Sequence, residues 1–200
     1  MRIMHFAGGG DVGGAKTHII SLGQQLARDN DFCLVSFRKG PFAEEAEQAG
    51  LQVVEAENAW NLGNCLNTAL KAVDNFHPDV IHCHGAKANM LGVMVKKLRH
   101  IPVCTTVHSD PARDYLGSPV KQLIFGSINS WALRRMDYYM AVAGEMERTL
   151  IRRGIDPQHI FVIHNGLDIS RAADCYRGKG PDDEIVVGIA ARLTPIKNIP

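Results

Sequence analysis

The sequence has no uninterrupted apolar run of about eighteen residues, so it offers no candidate for a membrane-spanning helix. No secretory leader is expected, because glycines and Asp11 break the apolar stretch after Arg2 within a few residues. Net charge is nearly absent, +1 over 200 residues, which leaves no electrostatic case for a nucleic-acid partner. The five cysteines, Cys33, Cys65, Cys83, Cys104 and Cys175, are odd in number and lack C-x-x-C spacing, which removes the usual zinc or dithiol signature. In a chain without an export signal they are expected to be reduced core thiols of a cytoplasmic protein. Low-complexity segments and self-similar repeats are also missing.

What is present is organised around the opening stretch, MRIMHFAGGGDVGGAKTHIISLGQQLAR. Ile3, His5 and Ala7 alternate with Met4 and Phe6 in a run apolar on nearly every side, the pattern of a strand buried on both faces. After Gly14 the period changes. Ala15, Ile19, Leu22 and Leu26 recur every three or four residues along one face of a helix. Between strand and helix lies a glycine cluster, where a backbone without Cβ atoms can approach a ligand and first-turn N–H groups suit an anionic oxygen. Gly8, Gly10 and Gly13 also satisfy G-x-G-x-x-G, which keeps dinucleotide binding open. An NAD site wants an acid after the second strand, where Arg38 and Lys39 stand; an arginine there suits the extra phosphate of NADP.

The rest of the chain repeats this rhythm. Strands are expected at 32–37, 51–56, 79–85, 102–109, 138–143 and 160–163. Helices are expected at 41–49, 62–76, 88–98 and 119–135, and from about Met146 to Gly154. Strands alternating with helices, each strand apolar throughout, imply an α/β fold: a Rossmann-like, mostly parallel sheet with helices on both faces. Such sheets bind ligands past the carboxyl ends of their strands. Four polar, glycine-marked stretches fall there: GGGDVGG, His84-Gly85, His108-Ser109-Asp110 and Asn165-Gly166. After Asp168 the composition turns polar and then begins a new strand, EIVVGIAARL, that has no neighbours in the chain. The expected organisation is a domain over 1–168, a hinge over 169–183, and the first strand and loop of a truncated second domain over 184–200.

With these residues placed, the chain resembles the family-four retaining glycosyltransferases of the GT-B class, in which two Rossmann-like domains face each other across a cleft. Five stretches carry the likeness in order: GGAKTHIISLGQQL, DVIHCHG, PVCTTVHS, DYYMAVAGEMERTLIRRGI with FVIHNGLD, and GIAARLTPIKN. The resemblance implies transfer of a hexosyl or N-acetylhexosaminyl group from a UDP- or GDP-sugar to a hydroxyl of a saccharide, a lipid-linked saccharide or a small metabolite. It implies no cofactor and no metal, and a cytoplasmic enzyme, peripheral at the inner membrane face as a variant of that reading. It places Gly13 and Gly14 against the donor and Lys16 and His18 on the acceptor side, where His84 and Asp110, from their strand-end positions, are further candidates. His108 falls at the reacting centre, and Arg192 and Lys197 clamp the diphosphate. A nucleotide-sugar epimerase shares the same plan.

The chain departs from that pattern at Ala143-Gly144, where a capping serine is usual, and at Ala191, Asn198 and His164. Plainer readings stand beside the functional ones. His82 and His84 share a strand face and could chelate a metal with His108, but a strand-end histidine more often donates hydrogen bonds, so no metal ligand is assigned. Cys83 and Cys104 are expected to be core residues. Asp110 and Asp114 suit turn and capping roles. The helix carrying Ile124, Ile128, Trp131 and Leu133 beside Lys121, Arg134 and Arg135 suits either packing on the sheet or an anionic membrane surface.

Overall fold

The computed structural model describes residues 1–10, 13–109, 119–166 and 188–189, with backbone alone for 119–125. The chain divides into two units, Met1–His164 and Asn165–Pro200, and all the described secondary structure belongs to the first. Along the chain come β1 (Arg2–Ala7), α1 (Gly14–Leu26), β2 (Asp31–Ser36), α2 (Pro41–Gln48), β3 (Val53–Glu55) and α3 (Leu62–Phe76). These are followed by β4 (Val80–His84), α4 (Ala86–Arg99), β5 (Val103–Val107), α5 (Pro119–Leu133), β6 (Tyr138–Ala141), α6 (Gly144–Arg152) and β7 (Ile160–Val162). The loop with Asp110, Pro111 and Asp114, and the stretch with Arg192 and Lys197, lie outside the described residues.

The seven strands form one sheet in the order β3-β2-β1-β4-β5-β6-β7, and every pairing is parallel. The expected α/β architecture is therefore the observed one. Parallel strands send all their carboxyl ends to one edge. The turns after β1, β4 and β5 must share that rim.

Two cores sandwich the sheet. On one face Ile19, Ile20 and Leu26 of α1 and Phe42 and Ala46 of α2 pack on Ala7, Phe32 and Leu34. On the other, α3 to α6 contribute Cys65, Val73, Leu91, Val95, Leu133 and Leu150 over Met4, Phe6, Ile81, Cys83 and Val103. Cys83 is thus a core thiol, its pKa raised by burial. α4 comes so close to β4 that a Cβ on Gly92 would stand 2.4 Å from the Cys83 sulfur. A buried polar chain crosses this second core: the Thr105 hydroxyl donates to Asn89 Oδ1 at 2.7 Å, and Asn89 Nδ2 donates to Asn129 Oδ1 at 2.9 Å. Burial removes water as an alternative partner, so each bond is needed to offset desolvation of its neighbours.

Element boundaries differ from the pattern where caps decide them. β3 starts at Val53 and not at Leu51, because the Leu51 N–H is taken by the Ala46 carbonyl (3.1 Å) across Gly50 at φ 85°. That closure ends α2 with a left-handed glycine, whose missing Cβ makes φ > 0 cheap. β6 stops at Ala141 because Ala143 is the N-cap of α6, where it offers no side-chain hydrogen bond. On α5, Ala132 and Leu133 are buried while Trp131 is 41% exposed, with the Arg135 guanidinium 4.7 Å from its ring centroid. Packing on α4 and the second core therefore accounts for the buried side of this helix. Among the described residues no helix is long and apolar enough to cross a membrane.

Candidate active site

The rim is built from the ends of β1, β4 and β5. Past β1, Gly9 sits buried at φ 80°, pressed against Ser36 and Arg38 at the end of β2. Arg38, the residue that the dinucleotide reading assigns to a phosphate, lies along this loop; a Cβ on Gly10 would meet its guanidinium at 3.4 Å. Gly13 is the N-cap of α1 and Gly85 that of α4; neither helix has a capping side chain or a first-turn acid. Two helix N-termini at this rim therefore keep amides that no capping side chain takes, a setting suited to anionic oxygens. Lys87, in the first turn of α4, donates to the carbonyls of Phe37 (3.1 Å) and Ala59 (2.6 Å), tying the loops after β2 and β3 together.

Beneath these turns the α1-facing side of the sheet changes character. Over β1 to β3 it is mainly aliphatic, but over β4 its side chains are imidazoles. The register pairs His5 with His82 and Ala7 with His84, so the alternation that points His5 toward α1 also points both β4 histidines there. His5, His82 and His84 are 0, 7 and 1% exposed. Their rings pack within 4.9 Å of one another, centroid to centroid. His82 Nε2 shares a hydrogen bond with the Thr106 hydroxyl at 2.7 Å, and His84 Nε2 one with His5 Nδ1 at 3.2 Å. His18, one turn into α1, and His108, just past β5, complete the set. Their centroids are 5.0 Å apart, and 6.1 and 5.9 Å from His84. Five imidazoles thus run from the core to the rim.

Burial lowers the pKa of all five, and the neighbouring rings lower most of them further, since each would repel a second charge. His82 falls to about 3 and His108 to about 4. Every shift favours the neutral ring at neutral pH, so His108 there is a hydrogen-bonding imidazole and not a cation. The unfolded chain, with values near 6.5, takes up protons first as pH falls. Stability should be flat above about pH 7, then fall below 6.5 toward these lower values, by up to about 1.4 kcal/mol per pH unit for each fully buried histidine. Denaturant midpoints of chelator-treated protein from pH 7.5 to 5 check this; an unchanged midpoint would contradict neutral burial.

The structure brings His18, His84 and His108 together beside the start of α1, which Gly13 and Gly14 open. His84 lies beneath the rim surface and reaches it through its two neighbours. Lys16 is held by Glu45 of α2 at 2.7 Å, a half-exposed ion pair. His5 escaped the sequence reading as a site residue; its signal was its place on the same alternation as Ile3 and Ala7. A cavity of about 990 Å³ lies elsewhere: Asn64, Asn67 and Lys71 of α3 line it with Cys33 and Gln52.

Comparison with curated protein sequences gives no match. Among solved structures, similar chains include HepE of Anabaena in complex with UDP-glucose (TM-score 0.68, 20% identity, 84% of this chain and 45% of that one). Another is the lipopolysaccharide outer core galactosyltransferase WaaB (0.65, 14%, 85% and 47%). A third is UDP-GlcNAc 2-epimerase of Neisseria meningitidis bound to UDP-GlcNAc (0.59, 13%, 82% and 47%). At these identities the likeness shows the fold, the Rossmann-like half of a GT-B architecture, and the chain spans less than half the length of each. The model of Glycosyltransferase Family 4 matches residues 12–171, which takes in the α1 N-terminus, the imidazoles of β4 and the β5 end. With most of the sequence inside that match, the chain belongs to glycosyltransferase family 4.

Proposed function

We propose that the protein is a retaining glycosyltransferase that moves a hexosyl or N-acetylhexosaminyl group from a UDP- or GDP-sugar to an acceptor hydroxyl. The observation that carries this reading is the shared rim, where the glycine-capped start of α1 stands beside the neutral imidazoles of His18 and His108. Membership of the family supports transfer, and UDP-glucose bound by HepE supports a nucleotide-sugar donor.

In this reading the bond from the anomeric carbon to the diphosphate oxygen breaks as the bond to the acceptor oxygen forms. The departing phosphate takes the hydroxyl proton, so no protein carboxylate is required as nucleophile. Arg192 and Lys197 balance the charge that builds on the diphosphate, the part of the reaction where fixed cations contribute most. Gly13 and Gly14 let the backbone approach the donor. His108 fixes its reacting sugar by a hydrogen bond, and His18, with Lys16 and Asp110, receives the acceptor hydroxyl. Positioning supplies much of the remaining rate. The reaction needs no metal or cofactor and takes place in the cytoplasm. The exposed Trp131 with Arg134 and Arg135 suits work beside an anionic membrane on a lipid-linked acceptor.

The similarity to the Neisseria epimerase favours one alternative, interconversion of the nucleotide sugar itself. Incubating full-length protein with a panel of UDP- and GDP-sugars, with and without mono- and disaccharide and polyprenyl-linked acceptors, separates the two. The expected product, read by NMR, is a glycoside that keeps the donor's anomeric configuration. Sugar interconversion without acceptor would instead establish the epimerase. NADPH fluorescence quenching would revive the oxidoreductase reading of the glycine loop.

A further inference from the structure

The transfer proposed above assigns no step to His5 or His82, and His84, expected on the acceptor side, lies beneath the rim at 1% exposure. One ring nitrogen from each of His5, His82 and His84 can be chosen so that all three lie within 4.8 Å of one another. No carboxylate belongs to the group, and its members come from two adjacent strands whose register fixes them side by side. The closest approach, His5 Nδ1 to His84 Nε2, is 3.2 Å. Nitrogens bound to one tetrahedral zinc at about 2.0–2.1 Å lie about 3.3–3.4 Å apart. The contact that serves as a hydrogen bond already has the length of one edge of that tetrahedron.

The pair is held by one hydrogen bond on its inner nitrogens only. His5 Nε2 and His84 Nδ1 are buried with no hydrogen-bond partner among the described residues. If His84 donates across the 3.2 Å contact, His5 keeps an unpaired N–H and His84 a bare lone pair; if His5 donates, the two defects exchange places. Each defect costs about 1–3 kcal/mol in a buried setting. An ion on the inner nitrogens replaces that single hydrogen bond with two coordinate bonds; the bridging proton moves to an outer nitrogen, so the pair keeps its two protons and both outer nitrogens, His5 Nε2 and His84 Nδ1, then carry N–H.

We propose that His5, His82 and His84 form a buried three-histidine site for a borderline divalent metal ion, best suited to Zn²⁺. Imidazole nitrogen without thiolate or carboxylate selects zinc and its neighbours over magnesium and calcium, which demand oxygen ligands. The Thr106 hydroxyl, 2.7 Å from His82 Nε2, is a buried oxygen beside the group that can hold His82 or a water in the fourth position. His18 and His108, stacked between His84 and the rim, mark the path by which an ion enters. The site is structural: it knits β1 to β4 beneath the cleft and touches no reacting atom.

The probe is Co²⁺, followed by Zn²⁺, added to untagged full-length protein stripped with chelator. Expected is one Co²⁺ per chain with the visible band of tetrahedral nitrogen ligation, displaced by one equivalent of Zn²⁺. At a hundredfold excess over the dissociation constant, Zn²⁺ should raise the melting temperature by roughly 5–10 °C. His5→Phe and His82→Phe should each lose the band and weaken Zn²⁺ binding at least tenfold, whereas His77→Gln and His159→Gln should keep both. Wild-type protein with no band and no melting shift overturns the site, whatever the folding of the variants. A band that survives in folded His5→Phe and His82→Phe, or disappears in the surface variants, overturns it equally. None of these readouts uses sugar transfer, so the site stands or falls apart from the proposed activity.

Discussion

Under the transfer proposed above, replacing His108 with alanine in the full-length protein is expected to lower kcat by roughly 10²-fold, the usual effect of deleting one hydrogen-bonding group from a preorganised site. The imidazole stands at the carboxyl end of β5 with its centroid 5.0 Å from that of His18. Its Nε2 has no partner among the described residues, and burial with His18 nearby holds its pKa at about 4. That nitrogen is buried in this structure, and under the transfer proposed above the loss of the ring removes an interaction with the reacting sugar. Kinetics and melting together check the prediction. If the contact strengthens in the transition state, kcat falls while the acceptor KM stays within a few-fold. The melting temperature should move by only a few degrees, because His108 is half-buried and not part of either apolar core. Wild-type turnover in this variant would remove the residue from the reaction, and a tenfold rise in KM alone would reassign it to binding.

The largest loss of stability is expected at Gly9. A Cβ there would lie 2.7 Å from the backbone nitrogen and Cβ of Arg38 and from the Ser36 hydroxyl, which itself donates to the Arg38 carbonyl at 2.8 Å. Two penalties combine. The φ of 80° costs an L-residue about 1–2 kcal/mol, and the clash falls on the main chain of β2's extension, which cannot swing aside. Gly9→Ala should therefore lose about 3 kcal/mol or more, lowering the melting temperature by roughly 6–12 °C. Gly10→Ala is the control: its nearest new contact is the mobile end of Arg38 at 3.4 Å, so it should melt within about 2 °C of wild type. Equal melting of the two variants would refute the packing argument.

The sheet was legible because parallel strands buried on both faces have little freedom of composition. Val103, Thr105 and Val107 could hardly belong to anything but a central strand. The rim was legible for the same reason, since strand direction alone assigns the glycines and His108 to one edge. Pairing order was not. His5 looked like one polar interruption in an apolar strand, and only the placement of β1 against β4 turns it into the partner of His82 and His84. Periodicity reports which face a side chain takes, never which strand lies beside it. The Lys16–Glu45 pair was hidden likewise, since it joins two helices 29 residues apart. Caps explain the remaining boundary shifts, where one left-handed glycine outweighs the β propensity of Leu51.

The chain of hydroxyl and amides through Thr105, Asn89 and Asn129 sets a condition on how this sheet unit can change. Altering any one link strands a neighbour in a dry interior, so a drift to apolar residues has to occur at all three together. Chimaeras that splice α4 from one relative beside α5 from another would therefore break at this seam even where their oily surfaces match, and workable crossover points lie outside the segment 89–129.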